Sequence, residues 1–134
     1  MADKVSTLYS KIRKSEFVLV YLKGQRLLDE NKIISAKFLL IPEKDQHRIK
    51  IAITVSSKAG KSVWRNRFRR LISSSLWLEK EKLKHIKDSL KSDLLIVLSP
   101  YKINQVNRKK TELAEIRNAV ASIIMKINFS INNR

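Results

Sequence analysis

Apolar residues recur with a helical period in several parts of the chain. This period predicts helices over about residues 14–23, 62–78 and 111–127. Residues 79–92 are highly charged and either extend the middle helix or form a second one. The apolar residues that share an arc of these helices are Phe17, Val20 and Tyr21, then Trp64, Phe68, Leu71 and Ile72, and finally Leu113, Ile116, Val120, Ile123, Ile124 and Ile127.

Other stretches follow the patterns that are typical of β-strands. Residues 36–41 are mostly apolar and end at Pro42, which predicts a strand that runs into the turn of a β-hairpin. Residues 48–56 alternate between apolar and polar, as in a strand with one buried face and one polar face. The apolar run Leu94–Leu98 predicts a strand that is buried on both faces.

The predicted elements follow the order α-β-β-α-β-α, with residues 25–34 as a further strand or as coil. This mixture predicts an α/β fold in which helices pack on a sheet. At 134 residues the chain has the size of a single domain, and no repeat or linker divides it. Residues 1–10 and 128–134 lie outside the periodic segments and are candidates for flexible ends.

The charge of the chain points to a polyanion as its partner. Lys and Arg number 29 against 12 Asp and Glu, so the net charge is +17 and the isoelectric point is about 10.4. Nucleic acid fits, because each phosphate that Lys or Arg neutralises releases condensed counterions, and anionic lipid is the rival. No apolar run could span a bilayer and the start lacks the apolar segment of a signal peptide, so we expect a cytoplasmic protein without a membrane role.

Side chains that could catalyse a reaction are scarce. The chain has no Cys, which excludes disulfides, thiolate catalysis and Cys-bound zinc. His47 and His85 lie in polar stretches that are typical of solvated surface positions. Asp29 and Glu30 are adjacent, so their side chains are expected to point to different sides. We therefore predict no catalytic residue and no metal ligand, and a nuclease site within the polypeptide is the least favoured function.

The helix predicted over residues 62–78 concentrates positive charge on one side. An ordinary solvated surface mixes both signs, but this helix and the loop before it contain no acidic residue. Arg predominates in the helix, and its planar guanidinium can hold phosphate and stack on unpaired bases, which favours RNA over lipid. Lys58 and Lys61 flank Gly60 at the helix start, where free backbone N–H groups are expected to attract phosphate. The basic residues are Lys58, Lys61, Arg65, Arg67, Arg69 and Arg70.

Residues 55–72 resemble the signature of the bacterial ribonuclease P protein family. They contain the end of a strand, a Lys-Gly loop and a helix with Arg-Asn-Arg at residues 65–67, followed by two more basic residues. Residues 15–24, 37–40 and 93–97 are similar to the first helix, first strand and last strand of that family. The resemblance implies an α/β two-layer sandwich similar to the second domain of ribosomal protein S5. It also implies a left-handed β-α-β crossover, which general rules would not have predicted.

The resemblance implies roles for individual residues. In that family the Arg-Asn-Arg helix contacts the catalytic RNA, and a cleft between the first helix and the sheet holds the 5′ leader of precursor tRNA. The residues implied to bind the RNA subunit are Lys58, Lys61, Arg65, Asn66, Arg67, Arg69 and Arg70. The residues implied to line the leader cleft are Phe17, Tyr21, Phe38, Lys50, Thr54 and Ser56, although spacing alone favours core packing for Phe17 and Tyr21. The chain departs from the family pattern at Ser57 and Ser73, where basic residues are common, and at Ile41, where many members have an aromatic residue.

By this resemblance the chain is the protein subunit of an RNA-based endoribonuclease that removes the 5′ leader from precursor tRNA. The expected partners are the catalytic RNA of ribonuclease P and precursor tRNA, with no obligate protein partner. Mg²⁺ is expected at the active site of the RNA, whereas the protein alone binds no cofactor and contributes affinity for the leader. The residues themselves leave two alternatives. These are a ribosomal or other structural RNA-binding protein, and a DNA-binding helix protein, which would need base-reading side chains.

Overall fold

Helices and strands follow one another in the order α-β-β-β-α-α-β-α in a computed structural model, which describes residues 9–42 and 47–133. The helices of these residues are α1 (Lys14–Lys23), α2 (Ser62–Leu78), α3 (Lys80–Ser89) and α4 (Leu113–Asn132). The strands are β1 (Gln25–Leu28), β2 (Ile34–Ile41), β3 (Ile49–Ile53) and β4 (Asp93–Pro100), and a 3₁₀ turn, Ser57–Ala59, lies between β3 and α2. Among the described residues, none of the helices has both the length and the apolar character of a membrane-spanning segment.

The sheet has the strand order β1-β2-β4-β3. β1 and β4 pair antiparallel with β2, whereas β3 pairs parallel with β4. The predicted hairpin is therefore wrong, because β4 lies between the two strands that the hairpin was expected to join. Its turn at residues 43–46 lies outside the described residues. The central position of β4 explains its continuous apolar run, since both of its faces are covered.

The two faces of the sheet carry different layers. The register places Phe38, Ile51 and Ile96 side by side, and their face packs in one core with apolar residues of α2, α3 and α4. On the opposite face Leu95 is fully buried although it lies outside that core. An ion pair between Glu16 of α1 and Lys50 of β3 places α1 on this second face. The prediction of a mixed α/β fold is confirmed, and α1 adds a helix on the side away from the main core.

The bounds of several helices and strands differ from the predicted ones. The charged residues 79–92 form a separate helix, α3, and residues 25–28 form the edge strand β1. α4 continues to Asn132, so residues 128–132, which were candidates for a flexible end, are helical. At the other edge of the sheet, Ser10 pairs with β3, because its N–H donates to Ile49 O at 2.9 Å. The handedness of the connection from β3 to β4 stays a prediction.

Candidate RNA-binding interface

The buried side of α2 sets the direction in which its cations point. Trp64, Phe68 and Ile72 are buried at helical spacing, and the Trp64 and Phe68 rings stack with centroids 5.6 Å apart. These anchors fix the rotation of the helix about its axis. Asn66 and Arg70 consequently face solvent on the opposite side.

The residues implied to bind the RNA subunit all lie on one region of the surface, but their side chains differ in freedom. Lys58, Lys61, Asn66 and Arg70 are exposed, whereas Arg65, Arg67 and Arg69 are half-buried. A shallow depression of about 480 Å³ lies between side chains on the exposed side of the first half of α2. Its lining consists of Val63, Asn66, Arg69 and Arg70.

The half-buried arginines already form hydrogen bonds within the protein. Arg65 donates through Nε to Gly60 O at 3.1 Å, and Arg69 donates through Nη1 to Asn66 Oδ1 at 3.3 Å. Arg67 donates through Nη2 to Thr111 O at 2.9 Å. Each guanidinium has five N–H donors, so these bonds orient the side chain and leave other donors available for phosphate.

The backbone N–H groups of the two lysines before α2 form hydrogen bonds within the protein. The Lys58 N–H donates to Ser56 Oγ at 3.2 Å, and the Lys61 N–H donates to Gln105 Oε1 at 2.7 Å. The N–H groups of these two residues are therefore used within the protein, and the prediction of phosphate attraction concerns the first residues of α2, which begins at Ser62. The Lys58 and Lys61 ammonium groups lie beside that end of the helix.

The segment that follows β4, residues 101–112, packs against the start of α2 and was missed by the sequence analysis. Its backbone meets the loop before α2 where Gln105 N–H donates to Ala59 O at 2.7 Å. A Cβ on Gly60 would lie 2.8 Å from Gln105 Cβ, so glycine permits this close approach. Trp64 also fixes the segment by donating through Nε1 to Arg108 O at 2.8 Å.

The aromatic residues of α1 have different environments. Tyr21 is 67% exposed, and Lys37 Nζ lies 4.4 Å from the centre of its ring. The same Nζ donates to Tyr21 O at 3.2 Å, which fixes the cation beside the helix. Phe17 is half-buried. Tyr21 is therefore free to stack on another planar group, and the packing role that spacing favoured for it is wrong.

Lys50 is not the free cation that the leader cleft was expected to contain. Its Nζ lies 2.8 Å from Glu16 Oε2, and the exposed fractions of the two side chains are 9% and 11%. Burial raises the pKa of the Glu16 carboxyl, but hydrogen bonds and charge from Lys50 and Arg13 outweigh this and leave it below its ordinary value. Lys50 therefore holds α1 on the sheet, and its charge is neutralised within the protein.

Phe38 lies on the wrong face for the leader cleft. It is fully buried and belongs to the core beneath α2 and α4. Strand alternation explains this, because Phe38 follows Lys37, and Lys37 points to the α1 side of the sheet. The assignment of Phe38 to the cleft is thus corrected, and its neighbour Lys37 occupies the accessible face.

Thr54 and Ser56 lie at the opposite end of the expected cleft. Thr54 follows Lys50 by four residues on the same side of the strand, a distance of roughly 13 Å along an extended chain. Thr54, Ser56 and Lys58 line a surface depression of about 420 Å³ together with residues of β4 and the segment after it. The structure thus brings two residues that were implied to line the leader cleft next to one that was implied to bind the RNA subunit.

A row of residues that the sequence analysis did not select completes this surface. Arg26, Lys37, Val97 and Ala52 are register partners across the four strands, and all are at least partly exposed. We call this row the open face. Beside it, the Arg26 guanidinium lies 4.8 Å from the centre of the Tyr101 ring. A Lys in an apolar strand at position 37 was the available signal, whereas the position of Arg26 depends on strand pairing.

Ser73, one of the departures from the family pattern, makes a hydrogen bond within the protein. Its hydroxyl forms a hydrogen bond with the phenol of Tyr9. Burial raises the pKa of Tyr9, and this hydrogen bond offsets part of the rise.

In the two described ranges, no group of three His, Cys, Asp or Glu residues could hold a metal ion.

The fold and the surface together define a basic α/β protein whose cations are concentrated on one helix and beside Tyr21 and Tyr101. The family model described as Ribonuclease P matches residues 9–126. The ribonuclease P protein component of Alkaliphilus metalliredigens is 29% identical over 119 residues, which cover 88% of this chain and 93% of that protein. The counterpart from Bacillus pumilus is 33% identical over 76 residues, which cover 57% of this chain and 60% of that protein.

Solved structures agree on the fold. The ribonuclease P protein of Thermotoga maritima superposes with a TM-score of 0.66 at 19% identity, over 87% of this chain and 96% of the other. The ribonuclease P protein of Staphylococcus aureus superposes with a TM-score of 0.59 at 23% identity, over 89% of this chain and 94% of the other. The chain therefore belongs to the ribonuclease P protein family, as the resemblance at residues 55–72 predicted.

Proposed function

We propose that this protein binds the catalytic RNA of ribonuclease P through α2 and the 5′ leader of precursor tRNA through the α1 side of the sheet. The holoenzyme would remove the leader, with RNA and Mg²⁺ performing the hydrolysis. The observation that carries the proposal is the match of the family model over residues 9–126, which includes the cationic side of α2.

The chemistry of α2 supports docking to a folded RNA. Its exposed Arg70 and the lysines before the helix can neutralise phosphates, and the orienting bonds of Arg65 and Arg67 keep two further guanidinium groups at the surface. No acidic residue lies within α2, so repulsion of phosphate along the helix is absent. Affinity of this kind falls as salt rises, because counterion release drives it.

The α1 side of the sheet supports binding of a single strand. Tyr21 with Lys37, and Tyr101 with Arg26, each combine an aromatic ring with an adjacent cation. Such pairs can stack on an unpaired base while neutralising a neighbouring phosphate. The leader would run across the open face from Tyr21 towards Thr54 and Ser56.

Reconstitution tests the proposal directly. The purified protein is mixed with a bacterial ribonuclease P RNA and 5′-labelled precursor tRNA at low Mg²⁺, where the RNA alone is slow. We expect faster release of an intact leader. Binding of both RNAs without faster cleavage would contradict the proposal and favour the structural RNA-binding alternative.

Variants separate the two surfaces. Arg65→Ala with Arg70→Ala should weaken docking to the RNA subunit, whereas Tyr21→Ala should leave docking unchanged and raise the KM for precursor tRNA with a long leader. A substrate with a leader of one nucleotide is the matched control, because it cannot reach Tyr21. An equal effect of Tyr21→Ala on both substrates would overturn the leader assignment.

A further inference from the structure

The segment between β4 and α4 carries basic residues that no part of the proposed function uses. Residues 101–111 contain Lys102, Arg108, Lys109 and Lys110 and no acidic residue. Arg108 forms an ion pair with Glu115 of α4, so its charge is already matched. Lys109 and Lys110 are exposed, and within the described residues neither ammonium group is paired with an acid.

Two side chains of α2 hold the backbone on either side of these lysines. Trp64 Nε1 donates to Arg108 O at 2.8 Å, and Arg67 Nη2 donates to Thr111 O at 2.9 Å. Trp64 and Arg67 are three residues apart, which is about one turn of a helix. The backbone of the two lysines, between these carbonyl groups, is therefore held beside the first turns of α2.

Hydrogen bonds within the segment also order the backbone that leads to the two lysines. Asn104 Oδ1 accepts hydrogen bonds from Val106 N–H and Asn107 N–H, and the Asn107 side-chain amide donates to Lys102 O at 2.9 Å. Thr111, directly after the lysines, is 1% exposed. Lysines on backbone that is already ordered require less ordering of the chain on binding than lysines on a mobile loop.

We propose that Lys109 and Lys110 form a second phosphate-binding point for the RNA subunit, beside the Arg-Asn-Arg helix. This inference rests on the proposed function, because the RNA docked on α2 is the polyanion that passes next to the segment. Glu112, which is exposed, is the acidic residue nearest to the lysines in sequence. Its single negative charge is smaller than the two positive charges of the lysines, so the local net charge stays positive. The surface that binds the RNA subunit thus extends from α2 onto the segment before α4.

The test compares two variants with equal loss of charge. Lys109→Gln with Lys110→Gln removes the proposed contacts, while Lys84→Gln with Lys91→Gln removes two exposed lysines in and after α3. Affinity for a bacterial ribonuclease P RNA is measured over a range of salt. We expect the first variant to bind roughly tenfold more weakly, with a slope of log affinity against log salt that is shallower by roughly 1 to 2. The control variant should change affinity by less than about twofold, since distant exposed charges are screened.

The remaining outcomes separate this inference from the proposed function. Equal losses in the two variants, or no loss in either, would overturn the inference while wild-type protein still accelerates leader release. A loss confined to the affinity of the assembled holoenzyme for precursor tRNA would also overturn it, because the lysines would then touch the substrate. Failure of wild-type protein to bind or assist the RNA would overturn the proposed function itself. Thermal unfolding of each variant at the wild-type temperature confirms that the fold is intact.

Discussion

Glu16 and Lys50 show how one buried ion pair decides what a residue can do. Lys50 stands on the polar side of an alternating strand, which predicts an accessible cation. Glu16 lies 34 residues earlier in the chain, and only the packing of α1 on the sheet brings the two together at 2.8 Å. The pair fixes α1, and α1 in turn presents Tyr21 beside the open face.

Replacement of Glu16 tests this structural role. In Glu16→Gln the Lys50 ammonium stays in a site with little solvent and loses its counter-charge, so the free energy of unfolding should fall by roughly 2 to 4 kcal/mol. Urea denaturation at neutral pH measures the change. Glu81→Gln is the control, since Glu81 is exposed, and it should leave stability within about 0.5 kcal/mol of wild type.

The lowered pKa of Glu16 adds a prediction on pH. A carboxyl with a depressed pKa in the folded state contributes stability above its unfolded pKa, about 4.3, and that stability is lost as pH falls through the folded value. Wild-type protein should therefore lose stability between about pH 5 and pH 3 more steeply than Glu16→Gln. Parallel curves for the two proteins over this range would show that the pair contributes nothing. Urea midpoints at closely spaced pH values give the comparison.

At the scale of elements, the attachment of residues 101–112 to α2 depends on few bonds. The Trp64 indole is 4% exposed and donates to Arg108 O. In Trp64→Phe an aromatic ring remains beside Phe68, but the carbonyl loses its donor, at a cost of about 1 to 2 kcal/mol. Amide hydrogen exchange at Val106 and Arg108 should accelerate more than exchange in β4.

A matched change elsewhere in α2 controls for altered packing. Trp77→Phe removes an indole from a half-buried position near the other end of the helix. It should leave exchange in residues 101–112 at the wild-type rate. If Trp64→Phe instead accelerates exchange evenly throughout the sheet and the segment, the indole serves general stability and does not hold the segment in place.

Elements differ in how far the sequence predicts them. The bounds of α1 and α2 follow from periodicity, since a helix forms by contacts between near neighbours. Strand pairing cannot be predicted in this way, because nothing in residues 36–56 shows that β4 will separate β2 from β3. The cations of α2 were visible as a run without acids, whereas the open face needed the register of four strands. Phe38 was placed on the wrong side for the same reason.

At the scale of the whole molecule, the unequal distribution of charge matters more than its sum. Acidic residues support the fold locally, as Glu16 does with Lys50 and Glu79 does with Lys82 and Arg117. The exposed cations of α2 and of the segment at 109–110 lack such partners among the described residues. The free protein therefore carries repulsion that a bound polyanion would relieve, and this repulsion opposes the compact state.

Salt should consequently act in opposite directions on folding and on RNA binding. A rise from about 0.02 M to about 0.3 M NaCl shortens the screening length from roughly 20 Å to roughly 6 Å. The melting temperature of the free protein, with net charge +17, should rise by about 3 to 6 °C as self-repulsion is screened. Affinity for RNA should fall over the same range, because counterion release weakens.

Sodium phosphate at equal ionic strength distinguishes screening from anion binding at a site. A similar rise of the melting temperature in both salts indicates screening, whereas a larger rise in phosphate indicates anions held at α2. An unchanged melting temperature in both salts would show that the cations are too far apart to oppose folding.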